Sequence, residues 1–244
     1  MQASLDTSYC GPPPLPDDLW GRWNFDPWLI GVMLLLTAIF VVGSPTRKQQ
    51  LALGGAMTTL AIVFISPLCA LTVSLFSARV VHHVLLVAVA APLLASILPL
   101  VGKKTADMLG ALAGLHAAIF WLWHAPDAYQ LALASTPVYW LMQLTLLGSA
   151  TAMWLAIFAA TPGKSIGALL FLTIQMGLLG ALLVFSSQPL YLPHFTTTEA
   201  FGLHPIEDQQ LAGLIMWVPA SVPYIAVGLW RLLTLLRAPQ ERGA

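Results

Sequence analysis

The side chains with most chemistry to offer are six histidines, His82, His83, His116, His124, His194 and His204, together with Asp208 and Met216. His204 and Asp208 stand four apart at a helix start, beside Pro205, a residue suited to a first helical position; that spacing predicts an imidazole and a carboxylate on one face. His116 lies eight residues before His124, which on a helix means about 12 Å deeper and about 80° around the axis, so those two are not expected to share one ion. Met216 lies eight residues inward of Asp208 and is expected at a depth similar to His116. Imidazole and thioether together are the ligands that soft, monovalent copper accepts, whereas zinc or magnesium calls for more thiolates or carboxylates. The predicted metal residues are therefore His83, His116, His124, His204, Asp208 and Met216, forming an outer His/Asp site and a deeper His/Met step.

The elements that must position them are membrane helices. Of the 244 residues, 58% are hydrophobic and only 8% are charged, and the mean hydropathy is +0.82, far more apolar surface than a water-soluble domain can bury. A crossing needs about 20 mainly apolar residues, and seven stretches qualify: 27–43, 51–76, 80–100, 106–123, 138–160, 165–185 and 208–236. The expected fold is an all-α bundle of seven transmembrane helices, with an outer N-terminal segment 1–26, a membrane domain 27–237 and a cytoplasmic tail 238–244. Lys and Arg beside short loops resist export. With the N-terminus outside and the C-terminus cytoplasmic, Arg47, Lys48, Lys103, Lys104, Lys164, Arg231, Arg237 and Arg242 all fall inside, leaving only Arg22 and Arg79 outside. In that frame the histidines gather toward the outer side, where burying imidazoles near lipid is costly unless something uses them.

No cleavable signal is visible at the acidic, Pro-rich start of the chain, so the first helix is expected to serve as the insertion signal. Trp20, Trp23 and Trp28 suit an interfacial aromatic belt. Cys69 reads as a small apolar residue inside the second helix, and with Cys10 in the N-terminal segment neither a disulfide scaffold nor a CxxC redox motif is expected. Pro67, Pro92, Pro219 and Pro223 interrupt helices and each removes an intrahelical hydrogen bond.

Several functions are excluded by placement. Residues 163–167, Gly-Lys-Ser-Ile-Gly, fit G-x-S-x-G but lie in a cytoplasmic loop with no histidine base, and Phe158 stands where a phosphate loop needs its first glycine. No lysine is placed in a helix for a retinal Schiff base. No mid-membrane carboxylate supports a proton relay, inverted halves of a transporter are lacking, and no basic patch faces outward for nucleic acid.

Three ordered segments resemble the CtaG family of caa-type cytochrome c oxidase assembly factors. They are Leu75-Phe76-Ser77-Ala78 leading to His83-Val84-Leu85-Leu86 and Ala91-Pro92-Leu93-Leu94; Leu115-His116 continuing to Trp121-Leu122-Trp123-His124-Ala125-Pro126 and Tyr129; and the run from Asp208-Gln209-Gln210 to Met216-Trp217. The resemblance implies a multi-pass protein of the bacterial inner membrane that serves oxidase biogenesis on its outer face, and it points to His83, His116, His124 and Asp208. The chain departs from the family pattern at Arg79-Val80, where a His-Met pair is usual, at His82, which replaces a glutamine, and at Met142-Gln143, in place of Glu-His.

The expected role is thus a non-enzymatic assembly factor that binds or relays copper, in the form Cu(I). Its expected partners are respiratory cytochrome c oxidase subunits, the lipid bilayer and a periplasmic copper donor. Two other readings remain open: a b-type haem protein with His83 and His116 as axial ligands, and a metal-free accessory subunit or scaffold of an oxidase.

Overall fold

The computed structural model of the chain describes residues 8–43, 45–99 and 102–237. The expected outer residues 1–7 and the tail 238–244 lie outside the described residues. Those described are helical with no strand among them. The helices are α1 (Pro27–Val42), α2 (Arg47–Phe64), α3 (Leu68–Ser74), α4 (Phe76–Leu85), α5 (Ala91–Ile97), α6 (Gly102–Asp107), α7 (Leu109–His124), α8 (Pro126–Ala134), α9 (Thr136–Ala159), α10 (Pro162–Phe185), α11 (Pro205–Trp217) and α12 (Val222–Arg237).

Local chemistry sets the ends. Asp26 accepts a hydrogen bond from the Trp28 amide at 2.9 Å and starts α1, while Thr46 and Gln49 form a reciprocal capping box at α2. Ser66-Pro67 then breaks the second apolar stretch, so that α2 and α3 are bent by 42°, as a proline without an amide donor dictates. A π-helical turn, Leu86–Ala90, joins α4 to α5. Pro92 offers no amide to the preceding turn, and the Val87 carbonyl is instead satisfied by the indole Nε1 of Trp154 at 2.9 Å.

Four helices, Phe76–Ile97, Thr136–Ala159, Pro162–Phe185 and Pro205–Arg237, are long and apolar enough to cross a membrane, and the α2–α3 pair passes the same test when its two bent halves are taken together. Two apolar helices, α1 and α7, are shorter. Their outward faces are greasy: Leu34, Ile39, Leu144, Ile174 and Leu178 are all more than half exposed, the surface expected against lipid and not against water. α4–α5, α9, α7, α10 and α11 pack in sequence into a closed ring. α2 leans on the outside of α5, and α1, with no buried residue, lies outside α2.

Some boundaries differ from those expected. The third stretch begins at Phe76, four residues before Val80, which puts His82 and His83 in its second turn. The region after Pro126 folds as α8 where a loop was expected. The N-terminal segment is pinned to the bundle: Asn24 donates its amide to the Ile65 carbonyl at 2.8 Å, Ser74 Oγ donates to the Pro14 carbonyl at 3.0 Å, and Tyr9 stacks on Tyr139. Cys10 and Cys69 are joined by a disulfide across 59 residues, contrary to the expectation of an isolated Cys69; nothing in their sequence spacing showed that the broken second helix brings Cys69 under the N-terminal segment. Arg79, expected in an outer loop, is fully buried on α4.

Two contacts fix how α11 stands against its neighbours. Its carboxylate at Asp208 reaches across to α4, accepting hydrogen bonds from the backbone amides of Phe76 at 2.7 Å and Ser77 at 3.2 Å and from the Ser77 hydroxyl. Leu75, at the N-cap position, provides no side-chain acceptor, so a residue 132 positions away does so. On the opposite side α11 meets α10 through paired glycines. A Cβ built on Gly213 would come within 2.6 Å of the Gly180 carbonyl oxygen, and one on Gly180 within 2.9 Å of that of Gly213. Small residues of this kind let membrane helices approach to backbone contact.

Gly213→Ala is therefore expected to lower the stability of the detergent-solubilised protein by about 1–3 kcal/mol through overpacking, whereas Gly54→Ala, whose Cβ would meet nothing within 4 Å, should be neutral or slightly stabilising. Thermal unfolding of both variants checks this.

The loop between α10 and α11 contributes a pH effect. His194 is buried, with Nε2 2.7 Å from the Tyr129 hydroxyl and Nδ1 3.1 Å from the Ser74 carbonyl. This arrangement suits a neutral ring that donates from Nδ1 and accepts at Nε2. Burial pushes its pKa down to about 3, with the hydrogen bond to Ser74 opposing and the charge of Arg79 adding to the drop. The unfolded chain takes up this proton near pH 6.5 and the folded one does not, so stability is fully present above pH 6.5 and falls as pH drops from there toward 3. The slope of unfolding free energy against pH between 6.5 and 4 should be shallower in His194→Gln; an unchanged slope would contradict this assignment.

Candidate functional site

α4 and the last turn of α7 bring three imidazoles together. The ring centroids of His83 and His124 are 5.3 Å apart, and those of His82 and His83 5.6 Å apart, both pairs edge-on. All three side chains are buried. His124 Nδ1 lies 2.7 Å from the Phe120 carbonyl one turn earlier, a contact only an N–H can satisfy. That fixes the neutral tautomer and leaves Nε2 as the lone-pair nitrogen. Neither Nε2 of His124 nor either nitrogen of His82 or His83 has a hydrogen-bond partner. Buried polar atoms are nearly always paired, so five orphaned nitrogens in one cluster call for a ligand.

The deeper histidine stands apart, as its spacing predicts. His116 Nδ1 is 2.9 Å from Ser149 Oγ, and the ring of Phe120 lies between the two levels, 6.2 Å from His116 and 4.3 Å from His124. His116 lines a small cavity of about 20 Å³ with Phe120, Gln175, Met176 and Tyr224, room for about one water. The thioether beside it is thus Met176 of α10; Met216, the expected partner, is fully buried in the core but does not line that cavity.

The expected outer pairing of His204 with Asp208 is not formed. The His204 side chain is 73% exposed, 4.0 Å from Glu199, while Asp208 is fully buried and occupied with α4. The reason is local. His204 has the extended backbone of an N-cap residue, φ −71° and ψ 153°, so its side chain does not lie on the helical face that a spacing of four assumes.

Three further residues belong to the site without having been predicted for it: Arg79 and Gln143, read from sequence only as departures from the family pattern, and Tyr139. Arg79 lies one turn before His82 and His83 on α4, with its guanidinium carbon 5.4 Å from the centre of the Tyr139 ring. Tyr139 and Gln143 are one turn apart on α9, and all three are buried. The i, i+3 and i, i+4 relation of Arg79 to the histidine pair was the available signal; the charge-sorting rule, which assigns arginines to loops, masked it. The three imidazoles number as many as a metal site needs, yet among the described residues no group of three or more His, Cys, Asp or Glu converges closely enough to hold a metal ion. What the geometry offers is a pair, His83 and His124, with His82 alongside.

Residues 110–238 match the family described as cytochrome c oxidase caa3 assembly factor (Caa3_CtaG). Comparison with curated proteins and with solved structures gives no match. The matched segment runs from the start of α7 to the end of α12; it contains His116, His124, His204, Asp208 and Met216 and begins after His82 and His83. Since it covers just over half of the 244 residues, and its helices carry one side of the histidine cluster, the chain belongs to the cytochrome c oxidase caa3 assembly factor family.

Proposed function

We propose that this protein spans the bacterial inner membrane seven times, N-terminus outside, and supports assembly of a respiratory cytochrome c oxidase by holding copper(I) between His83 and His124 for transfer to an oxidase subunit. Four long apolar helices, the bent α2–α3 pair and the two shorter apolar helices together supply seven candidate crossings. The orientation is supported by the sorting of basic residues and by the Cys10–Cys69 disulfide, since such bonds persist in oxidising compartments such as the periplasm.

The observation that supports the copper reading is the set of unpartnered nitrogens, both of His83 and Nε2 of His124, on rings packed edge-on 5.3 Å apart between α4 and α7. Neutral imidazole suits copper, and a soft monovalent ion is content with few ligands where zinc asks for four. His82 stands ready as a third donor. The role is carriage, without turnover, and a copper donor on the outer side would load the pair. His116 and Met176 offer a deeper imidazole and thioether. Asp208 supports the site by holding the start of α4 and is no ligand in this arrangement.

Metal-reconstituted protein is expected to carry about one copper per chain, and His83→Ala and His124→Ala each to lose most of it and to lower active oxidase in cells. Asp208→Asn should mainly reduce stability. Elemental analysis together with the visible spectrum decides: retention of full copper by both alanine variants refutes the site, a strong Soret band replaces copper with haem, and copurification with oxidase in the absence of any metal favours a scaffold.

A further inference from the structure

Arg79 is a buried cation without a counter-charge. Its relative exposure is 0%, and none of Nε, Nη1 and Nη2 has a hydrogen-bond partner. Among the described residues no acid forms an ion pair with it: the ion pairs are Arg22 with Asp18, Lys164 with Asp107 and His204 with Glu199. Asp208, buried on the neighbouring α11, has spent its oxygens on Phe76 and Ser77. The ring of Tyr139 faces the guanidinium, a contact far weaker than an ion pair. The Tyr129 and Tyr139 hydroxyls also lie near the guanidinium, the former shared with His194, but neither supplies a negative charge.

A second, independent group shares the deficit. Gln143, one turn beyond Tyr139 on α9, is 1% exposed, and both its amide nitrogen and its amide oxygen lack partners. One turn along α4 from Arg79, His82 and His83 have no partner at any ring nitrogen. Each imidazole can present an N–H by choice of tautomer. The buried polar groups at this level are therefore rich in donors, carry a net positive charge and hold no carboxylate facing them. An unpaired buried charge is strongly unfavourable, and planar guanidinium is the side chain best matched to an oxyanion or halide.

We propose that Arg79 and Gln143 form a binding site for a small monovalent anion, of the size of chloride or nitrate, between α4 and α9. The guanidinium supplies the charge and a fork of N–H donors. Gln143 supplies a further N–H. The bound anion neutralises Arg79 next to the histidine pair, so its presence would also favour a cation there, but the site itself stands without any metal.

The test uses metal-free full-length protein in detergent, exchanged into sodium gluconate and titrated with sodium chloride or sodium nitrate at constant ionic strength. The melting midpoint of the wild-type protein is expected to rise with the logarithm of anion concentration above Kd, by about 5 °C at a hundredfold excess over Kd. Arg79→Met should abolish the rise. Gln143→Leu, which keeps the arginine and guards against a misfolded Arg79 variant, should weaken the apparent affinity at least tenfold. A wild-type midpoint indifferent to both anions overturns the site, and so does an equal rise in wild type and Gln143→Leu, which would mark an adventitious ion only. Copper and oxidase enter none of these readouts, so failure here is distinct from failure of the carrier role.

Discussion

A helix that begins inside a membrane protein has backbone amides to satisfy and little water to satisfy them. At the start of α4 that need is met by Asp208, whose carboxylate accepts from the amides of Phe76 and Ser77. Much at this end of the bundle follows from this contact. It fixes the axial position of α4 against α11, and with it the height at which His82 and His83 meet His124. The Ser74 carbonyl just before the break is taken up in turn by His194 and Thr197, so the outer loop is fastened to the same junction. Negative charge at a helix start is favourable through the helix dipole as well as through the hydrogen bonds, which explains how a fully buried carboxylate can stand there without a basic partner.

The polar residues at this end of the bundle divide into two kinds. His194, Tyr129, Tyr191 and Asp208 have their hydrogen-bonding capacity matched within the protein: Tyr191 donates to the His124 carbonyl at 2.7 Å, and His194 is held on both sides. They build the frame. Arg79, His82, His83, Gln143 and Nε2 of His124 are buried without partners, and these are the groups a ligand would meet. A low local dielectric strengthens satisfied networks and penalises unsatisfied groups alike, so placing the two kinds side by side gives a rigid rim around a hungry centre. The π-helical turn after His83 and the proline that accompanies it lie directly below this centre, where irregular backbone is tolerated because Trp154 satisfies the freed carbonyl.

Much of this was legible in the residues. Long apolar stretches showed where helices lie, and His83 and His124, both read as lying toward one side of the bundle, stand with ring centroids 5.3 Å apart. The separation of His116 from His124 followed from helical rise alone. What could not be read had specific physical causes. The pairing of His204 with Asp208 failed because an N-cap residue does not follow helical side-chain geometry. Asp208 itself was singled out as functional, and only coordinates could show that its oxygens serve a helix 132 residues away. Arg79 looked like a loop cation because the rule that sorts charges has no means of recognising a buried one. Met176 was overlooked in favour of Met216 because depth along one helix says nothing about which neighbouring helix turns toward it.

The bond between Cys10 and Cys69 joins two points that both precede the histidines in the chain. In the proposed orientation the first cysteine is exported ahead of all the spans and the second arrives with the end of the α2–α3 pair, while α7 to α12 are still to be synthesised. The cross-link can therefore close over a half-built bundle, and the later helices must assemble beneath a cover already in place. In that orientation, closing the bond draws on the thiol-oxidising capacity of the compartment that the N-terminal segment faces.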